Sequence, residues 1–121
     1  KLVANLKYQE NSMATTKKLP APPKTYTAFI KRFPQLADAW EHIAGAGQAG
    51  PLSEREQRLV KLAVAMGAMR EGSVHSGVRK ALALGISLEE IEQVVSLAAG
   101  TMGLPATVAL WTWCKDTADK K

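Results

Sequence analysis

Apolar residues between positions 25 and 44 recur every three or four residues, which is the spacing of amphipathic helices. A first group ends at Pro34, and a second group repeats the spacing after it. The apolar positions are Tyr26, Phe29, Ile30 and Phe33 in the first group, and Leu36, Ala39, Trp40, Ile43 and Ala44 in the second. The pattern therefore predicts two short helices, followed by a loop that contains Gly45, Gly47, Gly50 and Pro51.

Two capping boxes mark the starts of later helices. Ser53 is followed three residues later by Glu56, and Ser87 stands in the same relation to Glu90. The first box opens the longest periodic segment, which we predict to run from Glu54 to about Met69. Its predicted buried stripe is Leu59, Leu62, Ala63, Met66 and Met69. The helix after the second box carries Ile91, Val94, Val95 and Ala98 on its apolar face.

Two further helices complete the pattern. One is predicted from about Gly72 to Leu84, with Gly85 as its left-handed C-terminal cap, and the other begins at Pro105. Their apolar positions are Val74, Val78, Ala81 and Leu82 in the former, and Val108, Leu110, Trp111 and Cys114 in the latter. Because no segment alternates with a period of two, we expect an all-α bundle of about six helices.

Length and charge indicate one globular domain with a basic arm. The chain has 121 residues, 46% of them hydrophobic, and a formal charge of +5. Residues 1–34 carry seven basic residues and one acidic residue, so the positive charge lies at the N-terminus. We interpret residues 1–24 as a disordered or extended basic arm and residues 25–121 as the helical domain. Residues 1–12 precede Met13 and could derive from a vector or an upstream fusion.

The cellular compartment is expected to be the cytoplasm. No secretory signal is visible, and the lone Cys114 fits a reducing environment and excludes a disulfide framework. The uncharged stretch 94–114 is divided by Gly100, Gly103 and Pro105 into segments too short to span a bilayer. We therefore predict two buried helices there and no membrane partner.

Three other kinds of binding are not expected. The glycines of residues 45–50 match a dinucleotide fingerprint, but a helix precedes them where that motif needs a strand. The two histidines, His42 and His75, lie on different predicted helices, so neither a metal site nor any other cofactor is expected. Nucleic acid is not an expected partner either, because no aromatic or recognition motif accompanies the lysines of the arm.

The most informative stretch is residues 70–85, REGSVHSGVRKALALG, followed by ISLEEI. Together with the segments FPQL at 33–36, LSERE at 52–56 and GLP at 103–105, it resembles the carboxymuconolactone decarboxylase and alkyl hydroperoxidase D family. The resemblance covers about residues 26–110. It implies a helical bundle whose protomers assemble as trimers or hexamers.

The residues of the family's redox chemistry are missing from this chain. Redox members carry C-x-x-C-x-x-x-H here, and the resemblance puts those three positions on Arg70, Ser73 and Gly77. The glutamate that precedes this motif falls on Arg58, and Cys114 occupies neither cysteine position. Thiol peroxidase activity is therefore not expected. A histidine would suit position 77 as a helix position unless close packing requires the glycine.

Glu71 and His75 are the candidate catalytic residues, since residues four apart share a helix face. A carboxylate that holds one imidazole nitrogen leaves the other free as a general base. The motif resembles a cysteine-free branch of the family, which implies acid–base lyase or isomerase-like chemistry. Three arginines are candidates to bind a small anionic substrate. They are Arg70, Arg79 and Arg58.

The alternative is that Glu71 and His75 form an ordinary surface pair and that the chain is a non-catalytic scaffold or binding protein of the same fold. The tryptophans favour an oligomer under either hypothesis. Trp111 and Trp113 are two residues apart and point about 160° apart on a helix, so both cannot enter one core. We expect one of them to contact another subunit.

Overall fold

The computed structural model describes residues 23–120, and this part of the chain is all-α, as predicted. It contains six helices and no strand among the described residues. They are α1 (Lys24–Arg32), α2 (Pro34–Gln48), α3 (Glu54–Gly67), α4 (Glu71–Ala83), α5 (Leu88–Met102) and α6 (Leu104–Asp119). The chain divides into two compact units, and the boundary between them in the sequence lies between Pro51 and Leu52. The predicted arm, residues 1–24, lies almost entirely outside the described residues.

The first unit contains the helix pair α1 and α2. Pro34 stands in the first turn of α2, where its missing N–H removes no hydrogen bond. The Phe29 and Phe33 rings lie 5.1 Å apart, at the end of α1. The loop predicted around Gly45 and Gly47 is wrong, because α2 continues to Gln48. Both glycines adopt helical backbone angles, which costs only about 1 kcal/mol each against alanine.

Both predicted capping boxes are present in the second unit. The Ser53 hydroxyl accepts from the Glu56 N–H at 3.0 Å, and the Glu56 carboxylate accepts from the Ser53 N–H at 2.8 Å. Ser87 and Glu90 make the equivalent bonds at 3.1 and 2.9 Å. An ion pair between Arg55 and Glu90 joins the starts of α3 and α5. These local bonds explain why the two helices begin where the sequence predicts.

The buried stripe of α3 is shorter than predicted. The helix ends at Gly67, and Met69 adopts a left-handed backbone conformation with φ of 54°. Met69 is consequently exposed, and Ala63 faces outward as well. Leu62 and Met66 are buried and Leu59 is partly buried. The inward face of α3 is therefore formed by these three residues together with the partly buried Ala65.

Helices α3 to α6 enclose the core of the second unit. Its buried residues are Leu62, Met66, Val74, Val78, Ala81, Ile86, Ile91, Val95, Leu110 and Cys114. Gly85, with φ of 95°, ends α4 as predicted and turns the chain toward Ile86. In α6, Leu110 and Cys114 face inward, whereas Val108 and Trp111 are exposed. None of the described helices is long and apolar enough to cross a membrane.

Candidate functional site

Helix α4 places the predicted pair Glu71 and His75 one turn apart. Arg70 is the N-cap residue, so Glu71 begins the first turn and His75 follows on the same face. The distance between His75 Nε2 and Glu71 Oε2 is 3.2 Å. The side chain of His75 is 24% exposed and that of Glu71 is 58% exposed. The two groups thus meet at the surface of the second unit, with the imidazole the more enclosed of the two.

Thr117 on α6 is a third member of the site, which the sequence analysis missed. Its Oγ1 contacts His75 Nδ1, and the residue is buried, with 8% of its surface exposed. The Thr117 hydroxyl also lies 2.9 Å from the backbone carbonyl of Trp113, to which it donates. No sequence motif marked Thr117, because its partner is 42 residues away and meets it only through the packing of α4 against α6.

These contacts determine which imidazole nitrogen carries a proton. A hydroxyl has one hydrogen, and that of Thr117 is directed to the Trp113 carbonyl, so Thr117 Oγ1 accepts from Nδ1–H of His75. In the neutral imidazole, Nε2 is then an acceptor facing the Glu71 carboxylate. An ionised carboxylate is also an acceptor, so a hydrogen bond between these atoms requires one proton held by the pair.

The expected roles of the two partners change accordingly. The spacing in the sequence predicts that Glu71 fixes the tautomer and that the other nitrogen is free. In the structure Thr117 fixes the tautomer from the buried side, and Glu71 faces the exposed nitrogen. His75 Nε2 therefore lies on the exposed side of the ring and faces Glu71, and the two atoms share a hydrogen bond only when one of them is protonated.

The structure separates the three candidate arginines. Arg79 is one turn beyond His75 on α4, Arg70 caps the helix start, and both are exposed. Arg58 is partly buried on α3, where the charge of Glu54 acts on it and its own charge acts on Lys61 and Lys80. Arg70 and Arg79 thus flank His75 along its helix, whereas Arg58 lies on another helix; the charge of Arg79 also acts on Lys80.

We call Arg58, Lys61 and Lys80 the basic cluster. Burial lowers the pKa of Arg58, and the charge of Glu54 opposes that effect. Burial and then the charge of Arg58 lower the pKa of Lys61. Burial lowers the pKa of Lys80 as well, followed by the charges of Arg58, Lys61 and Arg79. All three members of the cluster are therefore held in surroundings that disfavour their positive charge.

Cys114 is placed where it does not favour thiolate chemistry. It is fully buried in the core, on α6. Burial, with a smaller contribution from the charge of Glu92, raises its pKa to about 11. A reactive cysteine needs an accessible thiolate, which this environment opposes.

Trp111 and Trp113 differ in exposure, as their spacing predicts. Trp113 packs against the core, and Trp111 is exposed on the opposite side of α6. The Trp111 Nε1–H donates to the Glu92 carboxylate at 3.0 Å, and the Lys115 ammonium lies 5.3 Å from the Trp111 ring centre. Trp111 therefore has polar partners within its own chain, although the residue is 42% exposed.

Comparison with known proteins identifies one family. The profile of the carboxymuconolactone decarboxylase family matches residues 34–116, which is most of the chain. No curated protein and no solved structure matches the chain significantly.

Proposed function

Because the chain belongs to the carboxymuconolactone decarboxylase family, we propose that it carries out acid–base lyase or isomerase chemistry on a small anionic substrate. The observation that supports this most is the arrangement of His75. One ring nitrogen is held by a buried hydroxyl, and the other faces an exposed carboxylate. A fixed imidazole with one outward nitrogen is what a general base at neutral pH requires.

In this proposal His75 Nε2 transfers the proton. For isomerisation, Nε2 removes a proton from a carbon next to a carbonyl or carboxylate, and the imidazolium returns it at another carbon. For decarboxylation, His75 first takes a proton from water, the electron pair of the broken C–C bond stays on the substrate carbon as CO₂ leaves, and the imidazolium then gives its proton to that carbon. Both reactions leave the redox state of the protein unchanged, so neither needs a thiol.

Glu71 and the two flanking arginines have supporting roles in the proposal. Glu71 stabilises the imidazolium that forms when Nε2 accepts a proton, since a nearby negative charge favours the charged ring. Arg70 and Arg79 are exposed on the same helix and would bind the carboxylate of the substrate. Arg58, the third candidate, is grouped with the basic cluster and is not assigned to this substrate.

The test compares the two histidines of the chain. We expect His75→Gln to lower turnover about 10²–10⁴-fold, because proton transfer is lost. His42→Gln, an exposed imidazole on α2, is the matched control and should keep full activity. The assay is solvent deuterium incorporation and CO₂ release with a panel of small unsaturated lactone and keto carboxylates.

Thr117→Val separates positioning from catalysis. Valine has a similar shape but cannot accept from Nδ1–H, so the preferred tautomer should be lost and turnover should fall less than in His75→Gln. Nitrogen-15 NMR of His75 reports the tautomer directly, apart from any activity. Unchanged turnover in His75→Gln would refute the catalytic role.

A second function, as a non-catalytic oligomeric scaffold or binding protein, is favoured by a different observation. Large apolar side chains are exposed on the second unit, among them Val60 and Val64 on α3 and Leu97 on α5. Such side chains are typical of surfaces that contact another protein. We propose a homo-oligomer, a trimer or hexamer by analogy with the family, in the cytoplasm. This assembly is compatible with either function.

A further inference from the structure

The basic cluster is formed by residues of helices α3 and α4, about one turn beyond the close contact of Gly77 with Leu62. A short turn over residues 68–70 joins these helices, which therefore run antiparallel. Gly77 faces Leu62, whose Cα would lie 3.9 Å from a Cβ built on that glycine. One turn further along, this register brings Lys80 of α4 beside Arg58 and Lys61 of α3. Three cationic side chains are thus gathered from two helices.

These charges have little compensation from the protein. The ion pairs formed among residues 23–120 are Arg55–Glu90 and Glu71–His75, and neither involves the cluster. Glu54 is the acidic residue that acts on Arg58, yet one oxygen of its carboxylate is buried without a hydrogen-bond partner. The Arg58 Nε is buried without a partner as well. Buried polar atoms are normally paired, so unpaired ones require a specific explanation.

We propose that Arg58, Lys61 and Lys80 form a binding site for a small doubly charged oxyanion. The guanidinium of Arg58 offers paired donors for two oxygens of one group, and the lysines add point charges that a dianion matches better than a monoanion. The Glu54 carboxylate cancels one of the three positive charges, and a bound dianion cancels the other two. The occupied site is therefore nearly neutral. Binding relieves the mutual repulsion of the three cations.

This site is distinct from that of the proposed function. His75 and Lys80 are five residues apart on α4, so they point about 140° apart around the helix. His75 contacts α6 through Thr117, whereas Lys80 lies on the side of α3. Anion binding at the basic cluster therefore does not depend on acid–base chemistry at His75.

The experiment is a titration of the full chain with inorganic phosphate, followed by amide NMR. Phosphate should shift resonances around Lys61 and Lys80 saturably, and acetate at equal ionic strength should not. Lys61→Gln and Lys80→Gln should each weaken phosphate binding by about tenfold, as expected for loss of one charge-assisted hydrogen bond. Lys115→Gln removes the same charge from α6 and should leave the affinity unchanged.

A second measurement guards against misfolding of the partly buried Lys80 variant. Lys61 is exposed, so Lys61→Gln retains the fold and tests the site by itself. Phosphate should raise the melting temperature of the parent protein and of Lys115→Gln more than that of Lys61→Gln. Equal effects of phosphate and acetate, or equal phosphate affinity in the parent and Lys61→Gln, would overturn the proposal.

Discussion

Gly77 lies where a side chain on a neighbouring helix leaves little room for a larger residue. A Cβ built at this position would lie 3.0 Å from Leu62 Cδ1, and Leu62 is only 1% exposed. The leucine has little room to move, since packed interiors contain few voids. This is the close packing under which the sequence analysis expected glycine to be required. The resemblance to redox members of the family implies a histidine at this position, and here the contact with Leu62 takes the space that its side chain would need.

Gly77→His is expected to lower stability by about 1–3 kcal/mol, because the imidazole must displace Leu62 from the core. The gain of up to about 1 kcal/mol from replacing a helical glycine offsets part of this loss. Gly100→His is the control, since its surroundings within helix α5 are open and the gain in helix propensity should appear alone. Urea unfolding measures both changes. A Gly77→His variant as stable as the parent would contradict the packing argument.

At the scale of the helices, one carboxylate serves two structural roles. Glu90 completes the capping box at the start of α5 and also pairs with Arg55 of α3. The hydrogen bond from Arg55, with the backbone bond from Ser87, lowers the pKa of Glu90 to about 2. Glu56 occupies the equivalent position in the first box, and its pKa is lowered by Ser53 alone. The two boxes thus differ by one interhelical partner.

Arg55→Gln is expected to raise the pKa of Glu90 toward its ordinary 4.5, while the bonds from Ser87 keep it somewhat lower. A carboxyl group whose pKa is lower in the folded state stabilises the fold above the unfolded pKa and loses that contribution as the pH falls. The parent protein should lose this contribution between pH 4.5 and about 2, and the variant should have less to lose. Carbon-13 NMR of the Glu side chains measures both titrations.

Glu56 serves as the internal control of that titration, because Arg55 is not among the causes of its lowered pKa. Its titration should be the same in the parent and in Arg55→Gln. If Glu90 also titrates identically in both proteins, the ion pair does not form in solution.

The second unit has apolar residues both in its core and on its surface. Its core is closed by α3 to α6, yet Val64, Leu97 and Leu104 remain more than 60% exposed. Two of these side chains lie on the outer faces of α3 and α5, and the third opens α6. The core of one chain therefore leaves substantial apolar surface that a second copy could cover.

Val64→Lys is expected to shift the purified protein toward the monomer, because a charge cannot be buried in an apolar interface without a partner. Light scattering coupled to size exclusion measures the mass. Ser96→Lys places the same side chain at an exposed polar position of α5, about 100° around the helix from Leu97, and should leave the mass unchanged. A parent protein that is monomeric at high concentration would refute the proposed assembly.

Features that depend on neighbours along the chain can be predicted without the fold. The capping boxes at Ser53 and Ser87 and the left-handed Gly85 are each set within a few residues, so their positions were predicted correctly. The spacing of Glu71 and His75 likewise predicted their contact. Periodicity predicted the number of helices. It placed the end of α2 too early, because Gly45 and Gly47 indicate a loop in the sequence although both lie inside the helix.

Contacts between groups from distant segments are set by how the helices pack. Thr117 reaches His75 because α6 packs against α4, and no local pattern encodes that partner. Arg58 joins Lys80, and not His75, because the antiparallel register of α3 and α4 sets which side chains lie level with each other. These pairings depend on how whole helix faces pack against each other. Packing involves side chains that are far apart in the sequence, so no local pattern predicts it.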